Sequence, residues 1–166
     1  MRRSETESTI VNFVSLIGLE VAYTDLPDDT FLPGLYIQDG RILIDPLRLK
    51  HPGDLLHEAG HLAVIPSIVR STLTGEVNVP STQMEPIEAQ AMAWSYAAAL
   101  YLKIDPAVVF HSEGYHGRSE AILQSFSYGV YIGVQGLERA GLTLTPATAA
   151  RTRQEAYPKM IKWVCD

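Results

Sequence analysis

Residues 52–66 constrain the chain most, because they predict one helix with two histidines on the same face. His57 and His61 belong to the pentapeptide HEAGH, a match to the pattern H-E-x-x-H. Helical residues four apart lie about 5–6 Å from each other at Cβ, so both imidazoles can converge on one cation. Glu58 lies beside that face. The pattern predicts a zinc-binding helix with a carboxylate placed to act on water.

The flanking residues predict a helix over about residues 52–65 independently of the motif. Pro52 suits a first helical position, Asp54 suits the first turn, and Pro66 ends the run. The two sides of the histidine face are apolar, with Leu55, Leu56, Ala59, Leu62 and Ala63. Gly60 weakens a helix by about 0.5–1 kcal/mol relative to Ala, and its lack of a side chain predicts close approach of another segment or of a substrate. The alternative is a pair of core histidines satisfied by ordinary hydrogen bonds, with Glu58 facing water.

Length and composition predict one globular domain over residues 1–166. A chain of 166 residues, 46% apolar and 19% charged, can bury a core without disulfides or other staples. The net charge of -6 argues against nucleic acid as the main partner, because no basic stripe is available to displace counterions. A lone cysteine, Cys165, excludes an internal disulfide framework and fits a reducing compartment. Zinc, if bound, must therefore use nitrogen and oxygen ligands.

The N-terminal segment predicts an amphipathic helix rather than a signal peptide. Two arginines precede an apolar stretch, but polar residues interrupt it. Its apolar residues fall at helical spacing: Ile10, Phe13, Val14 and Ile17. The longest apolar stretch, residues 91–102, is shorter than the roughly 20 residues that span a bilayer. We expect a cytoplasmic protein without a membrane partner.

The remaining pattern predicts an α+β fold in which helices dominate. Asp39-Gly40 favours a tight hairpin, with Tyr36 and Ile37 opposite residues 42–44. This hairpin precedes the HEAGH helix, so a small sheet should lie beside the metal. Further helices are expected over about residues 82–102, 119–140 and 146–156. Within the second of these, Gly129 and Gly133 are expected to allow close helix packing.

A third ligand is required, because catalytic zinc sites usually have three protein ligands and one open position. Residues 62–67 lack the Gly and His that the metzincin pattern places after the second histidine, which excludes that class. Glu85 is best explained as part of a capping box with Thr82. Glu88 aligns with a small, mostly apolar helix face, where a nearby cation would compensate its charge. The alternative for Glu88 is a solvated first-turn residue that interacts with the helix dipole.

These motifs resemble those of a known group of metallopeptidases. HEAGH followed by IEAQAMAWSYAAAL resembles the gluzincins. GRILIDP leading into LLHEAGHLAV is similar to the ImmA/IrrE-type metallopeptidases, over roughly residues 34–102. The resemblance implies a mostly helical, zincin-like domain with Zn²⁺ on His57, His61 and Glu88, and Glu58 as the base. It also implies a regulatory protease with a protein or peptide substrate, such as a transcriptional repressor. Related gluzincins often have an acid four residues after the ligand Glu, where this chain has Met92.

The catalytic expectation is peptide hydrolysis with a metal-activated water and Glu58 as general base. The segment HSEGYHGR also offers an oxyanion donor, and we expect Tyr115 or His116 in that role; a polar surface loop is the alternative. A peptide substrate is expected to add as a strand to the edge of the hairpin. Two other functions stay open: a catalytically silent zinc-binding interaction module and a metal-free helical scaffold.

Overall fold

The fold is built around two adjacent helices, α2 and α4, with a small sheet on one side. The computed structural model describes residues 4–75 and 86–166. In chain order the elements are α1 (Glu5–Leu16), β1 (Val21–Tyr23), β2 (Leu35–Gln38), β3 (Arg41–Ile44), α2 (Pro52–Ala63), α3 (Ser67–Arg70), α4 (Ile87–Leu102), α5 (Ser119–Ser127), α6 (Val134–Arg139) and α7 (Pro146–Thr152). This combination of helices with one three-stranded sheet is compatible with the expected α+β class. Helix α1 packs on α2, and its residues Ile10, Phe13 and Val14 are buried as expected.

The sheet has the order β1-β3-β2, so β3 is its central strand. Strand β2 pairs antiparallel with β3, with Tyr36 opposite Leu43 and Ile37 opposite Ile42, which confirms the predicted hairpin. β1 pairs parallel with β3 on the other side. Asp39 and Gly40 have φ values of 50° and 72°, the left-handed pair that a two-residue hairpin turn of this type requires. Helix α2 contacts β2 and β3, so the sheet lies beside the HEAGH helix.

The outer edge of the hairpin is partly occupied by the chain itself. The amide of Gly75 donates to the carbonyl of Ile37 at 2.8 Å. The amide of Asp39 donates to Thr74 Oγ1 at 3.0 Å, and the amide of Gly40 donates to the carbonyl of Leu73 at 3.0 Å. A substrate strand added to this edge would have to displace Gly75 from Ile37. The expected addition of a substrate strand to this edge is therefore obstructed at the Ile37 carbonyl, which is already bonded to Gly75.

Gly60 lies where α2 packs closely against α4. A Cβ atom on Gly60 would lie 2.9 Å from the carbonyl oxygen of Ala91 and 3.2 Å from Cε3 of Trp94. The sequence predicts that another segment approaches Gly60 closely, and in the structure that segment is α4. Helix α2 itself begins at Pro52 and ends at Ala63, within the predicted range of about 52–65.

The C-terminal segment packs on both central helices, at the middle of α4 and at the end of α2. The indole of Trp94 donates to the carbonyl of Trp163 at 2.8 Å. Arg70 donates to the carbonyls of Leu62 at 2.7 Å, Ile65 at 2.9 Å and Cys165 at 2.7 Å. Arg70 therefore satisfies carbonyls at the end of α2, which a helix leaves without partners of its own, and ties the C-terminal segment to them.

The predicted helix over residues 119–140 is wrong, because the structure divides it into α5 and α6. Gly129 and Gly133 have φ values of 74° and 84°, so both lie outside helical conformation. A Cβ atom on Gly133 would lie 2.0 Å from the carbonyl oxygen of Ala89, whereas one on Gly129 would meet nothing within 4 Å. Gly133 thus permits close packing on α4 as the residue before α6, not as part of a continuous helix.

The other helix predictions agree with the structure except at their ends. Helix α4 ends at Leu102 as predicted but begins at Ile87 rather than near residue 82, because Pro86 before it has an extended backbone, with ψ of 144°. The proposed capping box of Thr82 and Glu85 lies outside the described residues. The last helix begins at Pro146 as predicted but ends at Thr152, where Arg153 turns into the left-handed region. Within residues 4–75 and 86–166, no helix combines the length and apolar character needed to cross a bilayer.

Candidate metal centre

Helices α2 and α4 bring His57, His61 and Glu88 together. His57 Nε2 lies 3.4 Å from Glu88 Oε1, and His61 Nε2 lies 3.1 Å from Glu88 Oε2. The two imidazole rings are 4.7 Å apart at their centroids and nearly perpendicular. One ligand atom from each residue lies within 4.8 Å of the other two, so the three residues form a cluster that could bind a metal ion.

The spacing of the donor atoms is compatible with a metal site as well as with hydrogen bonds between the three side chains. Zn–N and Zn–O bonds of about 2.0–2.1 Å in a tetrahedron separate neighbouring ligand atoms by about 3.3–3.5 Å. The histidine–carboxylate distances of 3.4 and 3.1 Å are close to that separation. The donor set therefore fits a divalent cation held between the two helices.

Burial differs among the three residues and leaves one side of the cluster open to solvent. His57 and His61 are buried, whereas the Glu88 side chain is 53% exposed. Because the Glu88 side chain is half exposed, it does not carry the free-energy cost of a buried, unpaired carboxylate that the sequence predicts. It lies in the first turn of α4, where the helix dipole favours a negative charge.

The histidines keep Glu88 in its charged form. Partial burial raises the pKa of the Glu88 carboxyl, but hydrogen bonds with His57 and His61, together with their charges, lower it by more. The resulting pKa lies well below the ordinary range of a glutamic acid. A carboxylate that stays ionised is available as a metal ligand at neutral pH.

Tyr115 is the hydrogen-bond partner of the first histidine. Its hydroxyl lies 3.0 Å from His57 Nδ1, the ring nitrogen that does not face Glu88. The tyrosine ring packs between His57, at a centroid distance of 5.4 Å, and Phe110, at 5.0 Å. Burial raises the pKa of Tyr115, and the negative charges of Glu88, Asp54 and Glu58 raise it further, so the phenol keeps its proton.

The backbone at Tyr115 is held in an uncommon conformation. Tyr115 and His116 have φ values of 54° and 53°, and Gly117 follows with 75°. Left-handed residues that are not glycine cost about 1–3 kcal/mol each and persist only where surrounding contacts enforce them. The contacts of Tyr115 with His57 and Phe110 are such constraints.

A second side-chain pair fixes the same loop to α2, one turn before His57. His111 Nε2 lies 2.8 Å from Asp54 Oδ1, and both side chains are largely buried. The His111 ring stacks on His51 at a centroid distance of 3.8 Å, and His51 Nε2 lies 3.3 Å from Glu113 Oε2. The His111 carbonyl accepts from Ser119 Oγ at 2.6 Å, which closes the loop at its other end.

Nδ1 of His61 differs from Nδ1 of His57 in its hydrogen bonding. His61 Nδ1 is buried, and no residue in the described part of the chain forms a hydrogen bond with it. Histidines that bind metal usually donate this outer N–H to a carboxylate, a carbonyl or water. His57 thus has a protein partner and His61 has none among these residues.

The other predicted site residues occupy different positions relative to the cluster. Glu58 is partly exposed on α2 and follows His57 directly in the chain. His116 is exposed, and no hydrogen bond, ion pair or ring contact joins its side chain to the cluster among the residues described. Of these two residues of the loop, the structure therefore places Tyr115, and not His116, in contact with the cluster.

Sequence reasoning missed two parts of this arrangement. The sequence explains Asp54 only by its position in the first turn, whereas the structure pairs it with His111. The contact of His51 with Glu113 is not indicated by any motif. The absence of an acid at Met92 was the one signal that the partner of His57 had to come from elsewhere. No pattern in the sequence placed the 111–118 loop against α2.

Comparison of this chain with protein-family models, with curated proteins and with solved structures finds no match. The resemblance to ImmA/IrrE-type metallopeptidases therefore rests on the motifs alone.

Proposed function

We propose that this protein is a zinc-dependent peptide-bond hydrolase of the endopeptidase type. The observation that carries the proposal is the convergence of His57, His61 and Glu88 from two helices, with Glu58 adjacent to the first histidine. The described residues supply three ligand side chains, which is the number typical of catalytic zinc, whereas structural zinc usually has four. The solvent-exposed side of Glu88 leaves room for water or substrate.

Zinc is the metal that this donor set favours. Two imidazoles and one carboxylate suit zinc, although the same set also binds non-haem iron. Bound zinc would lower the pKa of a water ligand to about 7 and polarise a substrate carbonyl. A carboxylate base beside the ligands supports hydrolysis over oxidation.

The residues of the chain then have separate tasks. His57, His61 and Glu88 hold the metal, and Glu58 takes a proton from the attacking water. The oxygen of that water bonds to the carbonyl carbon, and the C–N bond of the peptide breaks. Glu58 returns the proton to the leaving amine, so it is ready for another cycle.

The substrate class follows from the motif resemblance and is part of the proposal. ImmA/IrrE-type metallopeptidases are regulatory proteases, so we infer a protein substrate such as a transcriptional repressor. A catalytically silent zinc module is disfavoured, because a purely structural site does not need Glu58.

The test is substitution of the base. In Glu58→Gln, stoichiometric zinc should be retained, because residue 58 is not a ligand, while peptide cleavage should fall by about 10²–10⁴-fold. Zinc content is measured by elemental analysis, and cleavage is measured with a randomised library of fluorogenic peptides. Glu155→Gln, on the exposed surface, is the matched control and should cleave like the wild type.

Two results would contradict the proposal. One is undiminished cleavage by Glu58→Gln. The other is a zinc-loaded wild-type protein that leaves every peptide of the library intact.

A further inference from the structure

We propose that Tyr115 is a positioning residue for the metal centre, and that its hydrogen bond with His57 reverses direction when the metal binds. The inference rests on the metal-binding part of the proposed function and does not require hydrolysis. It follows from the contacts at the two ring nitrogens of His57, which face Glu88 on one side and Tyr115 on the other.

Without metal, the Glu88 carboxylate determines which nitrogen of His57 carries the proton. An ionised carboxylate can only accept, so His57 Nε2, which faces Glu88 Oε1 at 3.4 Å, is the N–H of the neutral ring. Nδ1 is then an acceptor. The Tyr115 hydroxyl, 3.0 Å away, must donate to it.

With metal, the same ring must adopt the other tautomer. Coordination uses the lone pair of Nε2, so the proton of the neutral imidazole lies on Nδ1. The Nδ1–H donates to the Tyr115 oxygen, which now accepts. Between these two tautomers, only the position of the proton changes.

The reversal releases the hydroxyl hydrogen of Tyr115. A phenol hydroxyl has one hydrogen to donate, so this hydrogen is then available for another acceptor in the metal-bound state. A substrate carbonyl at the metal would be one such acceptor. The expected role of Tyr115 as an oxyanion donor is therefore compatible with its bond to His57 only when the metal is present.

The same geometry explains why the loop carries a strained tyrosine. An Nδ1–H on metal-bound His57 requires an acceptor, and no acid stands at position 92 to supply one. The left-handed backbone at Tyr115 and the pairing of His111 with Asp54 place the phenol oxygen at that nitrogen instead.

The first test is the zinc affinity of Tyr115→Phe, measured by competition with a chelator of known affinity. This change removes the oxygen and keeps the ring that packs on Phe110, so the fold should be retained. Loss of an outer partner typically weakens metal binding by about 10–100-fold, and we expect a loss in that range. Tyr128→Phe, at a tyrosine that is 77% exposed, is the control and should bind zinc like the wild type. Equal zinc affinity of Tyr115→Phe and wild type would overturn the inference.

The second test reads the tautomer directly and would not respond to a merely structural role. Nitrogen-15 NMR of His57 should show the proton on Nε2 in the metal-free protein and on Nδ1 in the zinc-loaded protein. A proton on Nδ1 in both states would contradict the reversal. This test can fail independently of the proposed function. Zinc binding with this tautomer change but without cleavage refutes only the hydrolase, whereas cleavage without the tautomer change refutes only the inference.

Discussion

Glu88 shows how one side chain can be half exposed and still belong to a well-defined site. Its two oxygens each face a different histidine, and its charge is maintained by those histidines. Glu88→Gln keeps the shape of the side chain but removes the charge, so zinc affinity should fall by more than the roughly 10–100-fold typical for an outer partner. The affinity is again measured by chelator competition.

A control at an equivalent position makes this result specific. Glu120 lies in the first turn of α5, is exposed, and is not part of the cluster. Glu120→Gln should leave zinc affinity unchanged and should alter the free energy of unfolding of the metal-free protein by no more than about 0.5 kcal/mol, as is usual for surface sites. Zinc affinity that is equal in Glu88→Gln and wild type would exclude Glu88 as a ligand.

At the residue scale, the sequence predicts site residues that lie a few positions apart in one helix, and it does not predict contacts between positions that are distant in the chain. His57 and His61 can be placed because a single helix fixes residues four apart. Glu88 could be proposed because a second helix was clear from its pattern. The bond from Tyr115 to His57 joins positions 58 residues apart, and no periodic pattern encodes such a contact.

At the element scale, the site depends on how closely α2 and α4 pack. Gly60 sets that distance, because a Cβ atom there would lie 2.9 Å from the Ala91 carbonyl oxygen. In Gly60→Ala, the gain in helix propensity of about 0.5–1 kcal/mol is outweighed by an overpacking cost of about 1–3 kcal/mol. We expect a lower free energy of unfolding for the metal-free variant, measured with urea.

The same substitution should also affect zinc binding. Moving α4 away from α2 separates Glu88 from the two histidines, so Gly60→Ala should bind zinc more weakly than wild type. A variant that is as stable as the wild type and binds zinc equally well would show that the two helices do not fix the site in the way we describe.

The elements that sequence reasoning misjudged are those set by tertiary contacts. The 119–140 segment has a helical pattern, but Gly133 adopts a left-handed conformation that lets the backbone approach Ala89 on α4. Helix propensity is a weak preference that such a contact overrides. The hairpin, in contrast, was predictable, because Asp39-Gly40 specifies both the turn and the register.

At the scale of the whole molecule, three segments within residues 4–75 and 86–166 meet at the cluster. Helix α2 supplies the histidines and Glu58, α4 supplies Glu88, and the 111–118 loop supplies Tyr115. Composition indicated a globular domain but not which distant segments would meet. The class of fold could therefore be predicted from the sequence more readily than the full set of residues that surround the site.

The most direct test of the account is anomalous X-ray diffraction at the zinc edge from crystals of the zinc-loaded protein. We predict one strong peak among His57 Nε2, His61 Nε2 and Glu88, at about 2.0–2.2 Å from each ligand atom. A map without a peak there, or with its only zinc peak elsewhere, would contradict the assignment of this cluster as the metal centre.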